Sequence, residues 1–144
     1  MEDIVEILHA EKCSCVIYNN GVVRLYWQRG VKDLLTILEK EPSMLHGAMI
    51  ADKVIGKGAA ALMILGGVES IYADVISKPA LELLSTVKLS VRYAESVPNI
   101  INRSGTGICP VENLCMNCKT ALDCLPLIKQ FIENNFNSKT NLLT

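Results

Sequence analysis

Three groups of residues have the types and spacing to do chemistry. The first is the run Asp52-Lys53-Val54-Ile55-Gly56-Lys57-Gly58, followed by the apolar stretch from Ala59 to Leu65 and the pair Gly66-Gly67. It reads as a buried strand from Gly47 to Ala51, an acidic cap at Asp52, and a helix closed by two glycines. Lys53 and Lys57 then fall in the first helical turns, where the macrodipole disfavours cations. Lysines in that position would hold an anion against the free backbone N–H groups of the helix start. Gly56 and Gly58 would let a ligand approach the backbone, and Asp52 would position a polar group.

The second group is Arg103, Cys109 and Glu112. A cysteine beside Pro110 at a helix start suits a thiolate nucleophile. Glu112 would shuttle protons for it, and Arg103 would add a cation for the ligand. The catalytic candidates are therefore Cys109, Glu112 and Asp52. His46, just before the buried strand, is the histidine that a folded chain could bring near them.

The third group is the series Cys109, Cys115, Cys118, Cys124, spaced C-x5-C-x2-C-x5-C. The central C-x2-C is a common chelating pair, and four thiolates suit zinc or an iron–sulfur cluster. If one helix holds both Cys118 and Cys124, their six-residue separation points them apart, so a metal site needs the helix to begin after Cys118. Each group also has a plain structural reading: Asp52 as an N-cap with solvated lysines, Cys109 as a thiol in a Gly-rich turn, and Cys124 packing inward.

Composition narrows the classes. The chain has 144 residues, 50% of them apolar and 20% charged, with a net charge of −1, which fits one globular domain with a real core. That charge leaves no electrostatic footprint for nucleic acid, and no basic run suggests a membrane surface. The start, Met1-Glu2-Asp3, is acidic where a secretory signal would be basic, and the longest apolar run is too short to span a bilayer. The expected location is cytoplasmic, with the six cysteines reduced rather than paired.

The positioning elements follow from periodicity. A first helix runs from Glu2 to Lys12, with His9 an ordinary boundary histidine. A hairpin joins Cys13–Tyr18 to Val22–Trp27 through Asn20-Gly21, a type I′ turn signal. That register sets Tyr18 against Val23 and Val16 against Leu25, and it points Cys13 and Cys15 the same way as small core residues. A second helix spans Val31 to Lys40, with Leu34, Leu35 and Leu38 inward and Pro42 as its stop. After the central strand and helix come a strand at Ser70–Ile76, a helix from Lys78-Pro79 to about Lys88, a strand at Ser90–Val97, a loop at Asn102–Gly107 and a helix from Thr120 to Asn134. Residues 1–136 are expected to form a single domain and 137–144 a polar tail. The pattern is an α/β fold, a three-layer α/β/α sandwich whose later strands run parallel.

Helix, hairpin, helix, then strand–helix–strand–helix–strand is similar to the order of the cytidine-deaminase-like fold. Asp52 to Ala61, with Gly105-Thr106-Gly107-Ile108-Cys109-Pro110-Val111-Glu112, resembles a small uncharacterised family of that superfamily, a domain of unknown function. Catalytic deaminases carry His-x-Glu or Cys-x-Glu at the start of the central helix and Pro-Cys-x-x-Cys at the next, which together bind zinc and supply the proton-shuttling glutamate. Here the central helix has Asp52-Lys53 and Lys57, and the next reads Pro79-Ala80-Leu81-Glu82-Leu83. The resemblance therefore implies the fold and its cleft without zinc-dependent deamination. The leading expectation is a small anionic or nucleotide-like ligand, of which a phosphorylated metabolite is one kind, held around Asp52–Lys57. The alternatives are a metal-carrying or redox-sensing module on the four cysteines, and a structural domain that assembles with a partner or with its own copies through helix faces.

Overall fold

Asn20 and Gly21 both hold positive φ, 49° and 79°, as a type I′ turn requires. They close a hairpin of β1 (Cys15–Asn19) and β2 (Val22–Tyr26), in which Val16 faces Leu25 and Tyr18 faces Val23. The computed structural model describes residues 1–28, 30–102 and 104–143, with backbone alone for 136–143. β1 also pairs antiparallel with β3 (Met49–Ile55), and β3, β4 (Ser70–Ser77) and β5 (Ser90–Val97) run parallel. The sheet order is β2-β1-β3-β4-β5. The helices are α1 (Glu2–Glu11), α2 (Lys32–Lys40), α3 (Lys57–Gly66), α4 (Lys78–Leu84), α5 (Pro110–Cys115) and α6 (Ala121–Leu143), with a 3₁₀ turn at Pro42–Met44.

Alternation along β1 and β3 sorts the core. Val16 and Ala51 pack against Ile4 and Leu8 of α1. Ile17 and Ile50 face the other way, into the larger cluster with α2, α3 and α4. The two cysteines of the hairpin separate, contrary to the expectation: Cys13 lies with α1 and Cys15 in the larger cluster. The reason is local. Lys12 takes a left-handed conformation after α1, and Ser14 is a bend whose hydroxyl bonds the carbonyls of Tyr26 and Gln28, so the strand alternation begins only at Cys15.

A second correction bears on the site. β3 does not end at Ala51 but runs on through Asp52, Lys53, Val54 and Ile55, and α3 begins at Lys57 with Gly56 as its cap. Asp52 is thus a strand residue and not an N-cap, and of the two lysines Lys57 alone belongs to the helix. Pairing with β4 extends the strand: Asp52 lies opposite Ala73, Val54 opposite Val75 and Ile55 opposite Ile76. The β-branched pair Val54-Ile55 favours the strand locally.

α3 is the central helix. Lys57 to Met63 are all buried, and the small run Gly58-Ala59-Ala60-Ala61 lets neighbouring helices approach. A Cβ on Gly58 would lie 2.4 Å from Cγ1 of Val111, so α5 packs against that bare backbone. Gly67 ends α3 in the left-handed conformation. α4 stops at Leu84, short of Lys88. α6 opens with a capping box, in which Asp123 N donates to Thr120 Oγ1 and Thr120 N to Asp123 Oδ2. It continues past Asn134, so the backbone of the expected tail is helical as far as Leu143, and Thr144 lies outside the described residues. Among the described residues no helix is long and apolar enough to cross a membrane.

Candidate functional site

Glu112 is almost completely buried, at 1% exposure. Its Oε1 accepts from the backbone N of Lys57 at 2.8 Å and from Ser77 Oγ at 2.7 Å, and its Oε2 accepts from the backbone N of Ile100. The carboxylate therefore sits against the N-terminus of α3, where an anion is most favourable. At the helix start where the sequence suggests a bound anion, the structure places the chain's own Glu112. Ser77 is in turn the N-cap of α4, its Oγ accepting from Ala80 N. One side chain thus ties together the starts of α3 and α4, the segment after β5, and α5.

Lys57 mirrors this arrangement. Its side chain is buried, and Nζ donates to the carbonyls of Met116 at 3.1 Å and Cys118 at 2.6 Å. A cation at the end of α5 is favoured by that helix's dipole. Lys53 Nζ donates to the carbonyl of Lys12 at 3.3 Å.

Beside Glu112 opens a cavity of about 680 Å³, a size typical of small-molecule sites. The hairpin contributes Cys15, Ile17, Tyr26 and Trp27, and α2 contributes Asp33, Leu34 and Ile37. Asp52, Gly56, Gly58, Cys109, Val111 and Glu112 form the opposite wall, with Phe131 of α6. Asp52 lies across the strand pair from Cys15. Burial raises its carboxyl to about 7, opposed by hydrogen bonds from the backbone of Val54 and Lys53 and reinforced by the charge of Asp74. Burial likewise raises Asp33. The Cys15 thiol stands well above the ordinary thiol range, through burial first and then the charge of Asp52.

The structure thus gathers Asp52, Lys53, Gly56, Gly58, Cys109 and Glu112 around one cavity. Lys57 does not line the cavity: its backbone N–H is bonded to Glu112 and its ammonium turns to the end of α5. Arg103 lies outside the described residues. His46 is packed beside Gly67 at the other end of β3, so it does not join the site. His9 pairs with Asp74, its Nε2 2.7 Å from Oδ1.

The cysteine series divides. Cys109 caps the start of α5, while Cys115 ends it, about 9 Å further along the axis. Cys115 ends α5, Cys118 follows in the turn after it, and Cys124 lies in the first turn of α6. Among the described residues no group of three or more His, Cys, Asp or Glu side chains is disposed to hold a metal ion.

Sequence reasoning missed Ser77, Asp33 and the aromatic wall. Ser77 carried a usable signal, since serine before Lys78-Pro79 is a helix-start signature. Asp33 reads as an ordinary first-turn acid, and nothing local marks it as facing a cavity.

No match was found among curated proteins. A crystal structure of a DUF1893 family protein, TM1506 from Thermotoga maritima, is similar in fold, with a TM-score of 0.82 and 25% identity over 90% of this chain and 87% of that one. The model of the TM1506 family, described as a domain of unknown function (DUF1893), matches residues 3–132. With nearly its whole length matched, the chain belongs to that DUF1893 family.

Proposed function

We propose that this protein binds a small molecule in the cavity between the hairpin, α2 and α5, and that Asp52 is the polar anchor for it. The observation that carries this reading is the Asp52 carboxyl set in the wall of a largely apolar cavity of about 680 Å³, where burial raises it to about 7. The acidic groups free to meet a ligand there are Asp52 and Asp33, and Lys12 lines the same cavity toward α1. Lys57 and Lys53 spend their ammonium groups on backbone carbonyls, and Glu112 fills the anion position at α3. The ligand is therefore a compact ring system presenting N–H donors or a cation, such as a nucleobase or a heteroaromatic amine. This keeps the nucleotide-like part of the expectation and replaces its anionic part. Gly56 and Gly58 keep the wall thin. Cys109 is the nucleophile candidate, and Asp52 the acid–base group, of any reaction run at the site.

We also read the chain as a zinc-free relative of the cytidine-deaminase-like proteins. The order of helices and strands supports this, as do the buried apolar residues Ala80 and Leu83 where those enzymes carry cysteines.

A thermal-shift panel of free nucleobases, nucleosides and heteroaromatic amines tests the binding. A ligand at a hundredfold excess over its Kd stabilises by about 2.7 kcal/mol, which is roughly 5–10 °C for a chain of this size. No shift from any member of the panel, alongside shifts from inorganic phosphate or phosphorylated sugars, would reverse the assignment of charge.

A further inference from the structure

The sheet has two edges, β2 and β5, and β5 is the barer of them. Among the described residues its ladder partner is β4 alone, so the outer row of its backbone N–H and C=O groups meets no strand. Parallel strands are normally covered on both faces. β5 departs from that rule: Arg92 to Ser96 are all exposed, whichever face they point to, Tyr93 at 46%. Edges of this kind are commonly blunted by lysine, proline or a bulge. None of these falls within Ser90–Val97, which keeps one constant register against β4 from end to end. The cation that is present, Arg92, turns back to Glu2 of its own α1 at 3.5 Å.

We infer that β5 is the interface of a two-fold dimer, in which the β5 strands of two copies pair antiparallel and join two five-stranded sheets into one. The faces limit the register. Arg92 meets α1 through Glu2, while Val91 packs on the larger core cluster. Arg92, Ala94 and Ser96 therefore share one face, and Val91, Tyr93, Glu95 and Val97 share the other. A two-fold axis through the sheet keeps each face on its own side, so the axis falls on a residue and not between two. An axis at Arg92 or Glu95 sets like charges directly opposite, which is unfavourable. An axis at Tyr93 sets Val91 against the partner's Glu95, and axes nearer either end shorten the ladder. With the axis at Ala94, Val91 meets the partner's Val97, Tyr93 meets the partner's Glu95, and Arg92 meets the partner's Ser96. Apolar then faces apolar, no like charges stand opposite, and a small side chain sits on the axis. This match of the strand to its own reverse selects a second copy of the chain over an unrelated strand. The contact uses a sheet edge and not the helix faces, and it leaves the cavity open.

Sedimentation velocity of the full-length protein, from micromolar to millimolar chain, is the first test. The expected result is a concentration-dependent shift from one chain to two. Ala94→Lys, which places like charges across the axis, raises the dimer dissociation constant by about tenfold or more. Val22→Lys, on the opposite edge strand, leaves it unchanged. Both positions are exposed, and circular dichroism confirms that both variants stay folded. Ala94→Cys gives an independent readout. Directly opposed residues of an antiparallel pair have Cα atoms about 4.5–5.5 Å apart, a span that a disulfide bridges. Mild oxidation followed by peptide mapping therefore finds the two introduced thiols joined to each other, and the same treatment of Tyr93→Cys does not. A chain that stays monomeric at millimolar concentration overturns the inference. So does a dimer that survives Ala94→Lys or dissociates with Val22→Lys, or a cross-link that forms in Tyr93→Cys and not in Ala94→Cys.

Discussion

A single carboxylate, Glu112, takes three donors from three separate parts of the chain. Removing it leaves those donors buried without partners, and each such group costs about 1–3 kcal/mol. Glu112→Ala should therefore lose about 3 kcal/mol or more in urea unfolding, while Lys57→Met, which frees only half-buried carbonyls, should lose about 1–2 kcal/mol. Asp52 acts in the opposite sense. Its carboxyl rises from 3.8 to about 7 on folding, so between those values the folded chain holds a proton that the unfolded chain has lost. Stability then falls as pH rises through that window and levels off above it. Asp52→Asn should flatten the fall, for a relative gain of about 4 kcal/mol at pH 8, roughly three pH units at about 1.4 kcal/mol each, measured as the difference between the two unfolding profiles. Glu112 was visible in the sequence as a candidate through its closeness to Cys109. Its role was not visible, because its partners lie 55, 35 and 12 residues away.

At the scale of elements, the turn and register of the hairpin were legible because an Asn-Gly turn and its flanking alternation are local signals, while its start was not, since Cys13 and Ser14 lie before the strand. The boundary of β3 and α3 was not. Asp52-Lys53 followed by an apolar run reads as a cap and helix, and what extends the strand is pairing with β4 across the crossover. The consequence is functional: Asp52 moves from a helix start to the cavity wall. The contact of α3 with α5 makes a sharper prediction. Gly58→Ala would set a Cβ 2.4 Å from Val111, which forces the two helices apart at a cost of about 1–3 kcal/mol. Gly107→Ala, where a Cβ meets nothing within 4 Å, should change the urea midpoint far less. Equal effects in the two variants would contradict the close packing of α3 on α5.

Across the whole molecule, the parallel strands, the helix starts and the hairpin enclose a cavity with Asp33, Asp52 and Glu112 in its wall and Lys12 and Lys53 at its edge. That a cavity opens there agrees with the sequence pattern, since open α/β sheets leave a crevice beyond the carboxyl ends of their strands. The partners of Lys53 and Lys57 were not legible, because the two suggest a bound anion in the sequence and in the folded chain donate to the carbonyls of Lys12, Met116 and Cys118. Trp27 is the chain's one tryptophan; it lines this cavity and reports on its contents. The most direct measurement is a Trp27 fluorescence titration of the parent chain and Asp52→Asn, using the panel compound with the largest thermal shift, at pH 6 and pH 8. The account predicts a saturable change in the parent that tightens as pH passes 7 and Asp52 ionises, with binding at least about tenfold weaker in Asp52→Asn, as the loss of a charged hydrogen-bond partner implies. Equal affinity in the two chains, or binding that weakens as pH rises, would contradict it.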